Sequence, residues 1–112
     1  MPRERAVAQV FFALGDGTRL SVVTRLGAGG ALSATALSQG AKVTRQAIVK
    51  HLRVLEGAGL VKHEKRGREV LYALESEQLE QARAFLDSVS EAWDRAIERL
   101  RQMVEEPDEG AR

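Results

Sequence analysis

Apolar residues recur every three or four positions in the first quarter of the chain, which is the spacing of amphipathic helices. The first repeat consists of Val7, Val10, Phe11 and Leu14. Gly15 ends this predicted helix. Asp16 or Thr18 can cap a second helix, which is expected to end at Gly27. The chain is therefore predicted to begin with two short helices joined by a tight turn.

A second pair of helices is predicted between residues 33 and 57. Ser33 caps a short third helix that runs to about Gln39, and residues 40–42 break it. Thr44 then caps a fourth helix, which ends at Gly57. Two helices joined by so short a break form a helix-turn-helix, and the fourth helix is its recognition helix.

The fourth helix has one apolar side and one cationic side. At about 100° per residue, one stripe consists of Ile48, Leu52 and Leu55. The opposite side consists of Gln46, Lys50 and Arg53. Arg45 lies on the flank of the first turn, and His51 lies beside the apolar stripe. The cationic side is therefore expected to face solvent while the stripe packs into a core.

After Gly59 the apolar period changes from three or four residues to two, which predicts two strands around a turn at Gly67. The tip of this hairpin is strongly basic and consists of Lys65, Arg66, Gly67 and Arg68. A basic hairpin after a helix-turn-helix is a candidate wing, which would lie along a phosphate backbone or touch a minor groove.

From Ser76 to about Glu106 the pattern predicts one long helix. Its heptad seam consists of Leu79, Ala82, Leu86, Val89, Trp93, Ala96, Leu100 and Met103. A second apolar stripe lies alongside the seam and consists of Phe85, Ala92 and Ile97. Both stripes could pack on the core of their own chain. We favour a subunit interface, because a helix of about 30 residues spans about 45 Å and outreaches so small a domain.

The net charge of +1 conceals a strong asymmetry. Residues 42–68 hold eight basic and two acidic side chains, whereas residues 69–112 hold five basic and twelve acidic ones. A concentrated cationic segment suits phosphate binding, because each neutralised phosphate releases condensed counterions. A merely solvated charged face is the alternative. The place of these charges on the recognition helix and wing favours double-stranded DNA.

Composition excludes several other classes. The chain has no cysteine, so it has no disulfide, thiolate metal site or thiol redox switch. We see no export signal and expect a cytoplasmic protein without a membrane partner, since the apolar run at residues 6–14 is too short to span a bilayer. Two histidines without a carboxylate pattern make a poor metal site. No catalytic constellation appears, so we expect neither an enzyme nor a cofactor.

The motifs allow a family resemblance to be stated. The run VTRQAIVKHLRVL at residues 43–55, followed by GAGLV at residues 57–61, closely resembles the ArsR (arsenic-repressor-like) family of bacterial winged helix-turn-helix regulators. Asp16-Gly17-Thr18-Arg19 is similar to the start of the family's second helix, with glycine in place of the usual proline. Gly67-Arg68, Tyr72 and the region around Trp93 extend the resemblance to nearly the whole chain.

The resemblance implies a mainly helical fold of four helices, a β-hairpin wing and a fifth helix. It also implies a homodimer joined through the first and last helices on a partly palindromic operator. The interface residues would then be Val7, Val10, Phe11, Leu86, Val89, Trp93, Ile97 and Leu100. The cysteine and histidine ligand sets of the metal-sensing members are missing. Whether an unknown small-molecule effector acts on the protein is left open.

We therefore predict a sequence-specific DNA-binding regulator, most simply a repressor. Base contacts are assigned to Arg45, Gln46 and Lys50, whose donor groups match the edges of guanine and adenine. Phosphate contacts are assigned to Thr44, Arg53, Lys65, Arg66 and Arg68. His51 is included as a packed or phosphate-facing residue. Residues 1–106 are predicted to form one DNA-binding and dimerisation domain, and residues 107–112 a disordered tail. The alternative is a winged-helix protein-interaction module that binds no DNA.

Overall fold

The computed structural model of the protein describes residues 2–105. Its elements are α1 (Pro2–Leu14), α2 (Gly17–Gly29), β1 (Leu32–Ser33), α3 (Ala34–Gln39), α4 (Arg45–Gly57), β2 (Val61–Arg66), β3 (Glu69–Leu74) and α5 (Ser76–Glu105). This order confirms the predicted winged helix-turn-helix. The predicted tail at residues 107–112 lies outside the described residues. The chain divides into two compact units, Met1–Ala82 and Arg83–Arg112.

The predicted helix caps are confirmed by side-chain hydrogen bonds. The Asp16 carboxylate accepts the Arg19 amide at 3.0 Å, and the Ser33 and Thr44 hydroxyls accept the amides three residues later, each at 3.1 Å. Each bond satisfies a backbone donor that the first turn of a helix leaves unpaired. The hydrogen bond from the Arg19 amide also lowers the pKa of Asp16 below its ordinary value of 3.8. The charged carboxylate therefore stabilises the folded protein at pH values above the ordinary pKa of 3.8. This contribution is lost as the pH falls through the lowered pKa of the folded state.

Two features differ from the sequence prediction. Helix α2 continues past Gly27 to Gly29, because Gly30, with φ 80°, is the residue that adopts the helix-ending conformation. The short strand β1 was not predicted, since two residues are too few to show a period. It pairs antiparallel with β3, with Leu32 opposite Tyr72, and gives a sheet of order β1-β3-β2.

The core of the first unit holds the recognition helix in place. Its completely buried residues include Val10, Leu37, Ile48, Leu52, Leu55 and Leu60. The predicted apolar stripe of α4 is thus confirmed, and it packs between residues from α1, α2, α3 and β2. Burial of three large aliphatic side chains from one helix contributes on the order of 5 kcal/mol before the entropy of ordering is subtracted. The rotation of α4 about its axis is fixed by this burial.

Gly59 lies two residues after the end of the recognition helix and directs the chain into the wing. It adopts φ 78°, while the Leu60 amide donates to the Leu55 carbonyl and the Gly59 amide to the Glu56 carbonyl, each at 3.0 Å. This pair of bonds is a Schellman motif, which needs a residue with positive φ. Leu55 and Leu60, which the motif brings together, are both completely buried.

We predict that Gly59→Ala destabilises the protein by about 1–3 kcal/mol. The added methyl group would sit 2.7 Å from the Cγ atom of Gln78, at a backbone conformation that alanine rarely adopts. Gly57→Ala is the matched control, because a Cβ there meets nothing within 4 Å. Urea unfolding followed by circular dichroism measures both. Equal midpoints for the two variants would contradict the role assigned to Gly59.

The second unit carries several exposed apolar side chains on α5. Leu86, Trp93, Ile97 and Leu100 are exposed, and Val89 is half-buried. Ala82, at the end of the first unit, is buried in the core, and Leu79 packs against it. Packing on the chain's own core therefore accounts for the first turns of the α5 seam and leaves the later heptads exposed. Among the described residues no single helix is long and apolar enough to cross a membrane, although α1 and α2 together reach that length across a 99° bend.

Candidate nucleic-acid interface

The exposed side of α4 carries the predicted base-contacting residues. Arg45, Gln46, Lys50 and Arg53 are all exposed, while the apolar stripe behind them is completely buried. Thr44 is exposed as well, and its hydroxyl oxygen accepts the Ala47 amide as the helix cap. Its hydroxyl proton stays free to donate to a phosphate. The first turn of α4 therefore presents hydrogen-bond donors and a positive helix end on the same side.

The turn between α3 and α4 is fixed by Arg25 from α2. Its guanidinium donates to the carbonyl oxygens of Leu37 at 2.8 Å and Ala36 at 3.2 Å, near the end of α3. A side chain at Gly40 would overlap this guanidinium. A larger residue at position 40 would therefore displace the Arg25 guanidinium, which joins the helix-turn-helix to α2 through α3.

The wing is a regular hairpin with a basic tip. Strand pairing places Lys65 opposite Val70 and Arg66 opposite Glu69, and Gly67 makes the turn at φ 63°. The Nη2 atom of Arg66 lies 3.6 Å from the Oε1 atom of Glu64 on the same strand. Both side chains of this pair are about 70% exposed. Such an exposed pair contributes little to stability, so Arg66 can exchange Glu64 for a phosphate at small cost.

A groove of about 540 Å³ brings the recognition helix and the wing together. Arg45 from α4 and Arg68 from the wing tip both line it, which places two predicted DNA-binding cations at one concave surface. Thr35 and Gln39 of α3 line the same groove and are exposed. Sequence reasoning missed these two residues. Their polar character on the helix before the recognition helix was the available indication.

His51 is placed differently from the other predicted DNA-binding residues. Its side chain is 23% exposed, and its Nδ1 atom lies 3.2 Å from Nη1 of Arg19 and 3.8 Å from the Asp16 carboxylate. It therefore faces the turn between α1 and α2 as well as the core. The sequence left open whether His51 is packed or faces a phosphate, and this position fits a packed residue better.

His63 also has a carboxylate partner, which the sequence did not predict. The Nδ1 atom of His63 contacts the Glu56 carboxylate, and its ring lies 5.6 Å from the Tyr72 ring. Glu56 lies in the last turn of α4 and His63 lies in β2, so this contact joins the recognition helix to the wing. The partners stand far apart along the chain, which is why sequence spacing did not reveal them. No group of three potential metal ligands was found in the part of the chain that the structure describes.

The predicted dimer-interface residues divide into exposed and buried groups. Those on α5 are exposed, except for the half-buried Val89. On α1, Val10 is completely buried and Val7 nearly so, because the helical face identified by spacing is the face that packs in the chain's own core. Val10 therefore offers no surface to a partner, and Phe11 is half-buried. The exposed aromatic residue of α1 is Phe12, at 72%.

Comparison with known proteins supports the nucleic-acid interpretation. A helix-turn-helix domain family matches residues 14–64. The HTH-type transcriptional regulator Rv2034 of Mycobacterium tuberculosis is 34% identical over 94% of this chain and 94% of its own. An ArsR-like transcriptional regulator from Rhodococcus sp. RHA1 is similar in structure, with a TM-score of 0.77 and 36% identity over 92% of this chain and 96% of its own.

A third relative carries information on assembly. A homodimeric winged helix-turn-helix DNA-binding domain from Mycobacterium bovis is similar in structure, with a TM-score of 0.63 and 25% identity. The similarity covers 78% of this chain and 80% of that domain. The structural relatives thus share the winged helix-turn-helix architecture found here.

Proposed function

Because the chain belongs to the ArsR family of winged helix-turn-helix transcriptional regulators, we propose that this DNA-binding regulator acts as a homodimer on an inverted-repeat operator and represses transcription. Regulator relatives that match nearly the full length leave no support for an interaction module without DNA binding. The dimer, the operator symmetry and the repression are the proposed part.

The observation that carries the proposal is the shared groove between the recognition helix and the wing. Arg45 and Arg68 line it together, and the exposed side of α4 continues the cationic surface through Lys50 and Arg53. A helix in the major groove with a wing on the flanking backbone needs donors on both elements facing the same way. We assign base contacts to Arg45, Gln46 and Lys50 as in the sequence prediction.

The dimer is supported by the apolar stripe of α5. At about 100° per residue, five exposed side chains fall within about 60° of each other: Leu86, Trp93, Ile97, Leu100 and Val104. A continuous exposed apolar stripe along about 27 Å of helix is the kind of surface that marks a protein–protein interaction site. The homodimeric relative from Mycobacterium bovis supports the same assembly.

Two recognition helices related by a twofold axis would read two equivalent half-sites, about 34 Å apart, in successive major grooves. Repression follows most simply if the bound dimer covers a promoter. Selection of bound fragments from a random DNA library, followed by transcription assays on the selected sites, tests the proposal. An inverted repeat and reduced transcription are expected. Enrichment of unrepeated sequences, or increased transcription, would contradict it.

The wing cations are expected to contribute to affinity without reading sequence. We predict that Lys65→Ala or Arg68→Ala weakens binding to every duplex and reduces the slope of log affinity against log salt by about one unit each. Lys62→Ala is the matched control, because Lys62 carries the same charge at the base of the hairpin, opposite Ala73, and its ammonium lies 4.0 Å from the Glu75 carboxylate. Fluorescence anisotropy at several salt concentrations measures these slopes. A change confined to operator preference would show that these residues read bases.

A further inference from the structure

The Arg19 guanidinium joins three helices of the first unit. Its Nε atom donates to the Ala13 carbonyl at 2.7 Å, near the end of α1. Its Nη1 atom lies 3.2 Å from Nδ1 of His51 in the middle of α4. Its own backbone amide is held by Asp16, the cap of α2. One side chain therefore ties the end of α1 and the start of α2 to the recognition helix.

A hydrogen bond from Arg19 to His51 requires a neutral imidazole whose Nδ1 atom accepts. A guanidinium has only donors, so Nδ1 of His51 has to accept, and its proton then lies on Nε2. A hydrogen bond between a charged donor and a partly buried acceptor is stronger than a neutral one. The ring is 23% exposed, so solvent competes only in part for this bond.

We propose that Arg19 and His51 are positioning residues for the recognition helix: their hydrogen bond holds α4 against the turn between α1 and α2, and a proton on the imidazole releases it. The consequence for DNA rests on the proposed function, whereas the bond itself is a property of the free protein. His51 would then act through the placement of α4 and make no phosphate contact.

The charges around the ring give the direction of the effect. Arg19 at 3.2 Å and Asp16 at 3.8 Å, both from the α1–α2 turn, face Nδ1. Among the described residues, none from α3 or β2 makes an ion pair with it. A protonated ring loses its acceptor and places a second cation beside Arg19. Asp16 is farther away and already holds the Arg19 amide, so its attraction offsets only part of that repulsion.

The positioning role and the phosphate contact predict opposite responses to pH. A protonated imidazole on a phosphate adds a favourable charge, so binding would strengthen as the pH falls. A protonated imidazole beside Arg19 loosens α4, so binding would weaken. Imidazoles gain their proton within about pH 8 to 5, where the Asp16 carboxylate, whose pKa is lowered, remains charged.

The bond is tested first in the free protein. Nitrogen-15 NMR of the histidine rings near pH 8 is expected to show His51 with its proton on Nε2 and an acceptor at Nδ1. Arg19→Gln is expected to change the Nδ1 shift of His51 and to leave that of His63 unchanged. A proton on Nδ1, or an unchanged shift in the variant, would overturn the proposal whether or not the protein binds DNA.

The effect on binding is tested with a random-sequence duplex of about 30 base pairs at constant ionic strength. The background is His63→Gln, so that His51 is the only histidine left in the chain. From about pH 8 to about pH 6, affinity is expected to fall by about fivefold. With His51→Asn added, which keeps an acceptor at the place of Nδ1 and does not titrate, affinity should stay level. With His51→Leu it should be low at both pH values.

Stronger binding at low pH would overturn the positioning role. Failure to bind at every pH would instead contradict the proposed function, and the NMR result would still decide the bond.

Discussion

Replacing Trp93 with aspartate is expected to convert the proposed dimer into a monomer. Trp93 is 63% exposed at the centre of the α5 stripe, with Leu86 and Leu100 one heptad to either side. A tryptophan at the centre of an interface commonly contributes more than about 2 kcal/mol, and a twofold interface loses that contribution twice. The dimer dissociation constant should therefore rise by about a thousandfold or more. Analytical ultracentrifugation measures it.

Operator binding should fall with the dimer. Two linked recognition helices gain about a hundredfold to ten-thousandfold over one, because the second binds at a high effective concentration. Gln102→Asp is the matched control, since it adds the same charge about 180° around α5 from Trp93. The control should remain dimeric. A Trp93→Asp variant that stays dimeric, with normal circular dichroism, would show that the stripe is not the interface.

Replacing Gln46 with alanine is expected to weaken sequence preference while leaving general affinity intact. Gln46 is uncharged and exposed on the recognition helix. A bidentate amide contact to adenine discriminates by about 1–3 kcal/mol, so operator affinity should fall by about fivefold to a hundredfold. Binding to random duplex and its salt slope should stay the same, because no phosphate contact is lost.

Lys50 provides a contrast on the same helix. Lys50→Ala removes both a base contact and a positive charge, so it should weaken operator and random duplex together and reduce the salt slope. Anisotropy titrations on the selected operator and on random duplex measure both variants. If Gln46→Ala weakened both duplexes equally, Gln46 would not be a base-reading residue.

Much of this fold could be predicted from the sequence because local patterns and tertiary packing agree. The stripe of Ile48, Leu52 and Leu55 follows one helical face, and all three are completely buried. Ser33 and Thr44 cap their helices with short hydroxyl side chains, each of which accepts a hydrogen bond from the backbone amide three residues later. Such features depend on neighbours along the chain, so spacing alone identifies them.

The features that the sequence did not reveal depend on partners distant in the chain. The bond between Arg19 and His51 joins positions 32 residues apart, and β1 exists only because β3 pairs with it. The family resemblance implied that Val10 faces a partner, but Val10 is completely buried, and one apolar face of α1 cannot serve both the core and an interface. Spacing shows that a face is apolar and leaves open what covers it.

Hydroxyl-radical footprinting on a selected operator tests most directly whether paired α4 helices enter the duplex. We predict two protected backbone regions related by a twofold axis, with centres about one helical turn apart and two chains bound per site. Protection of a single unrepeated half-site by one chain would contradict the proposed mode of binding.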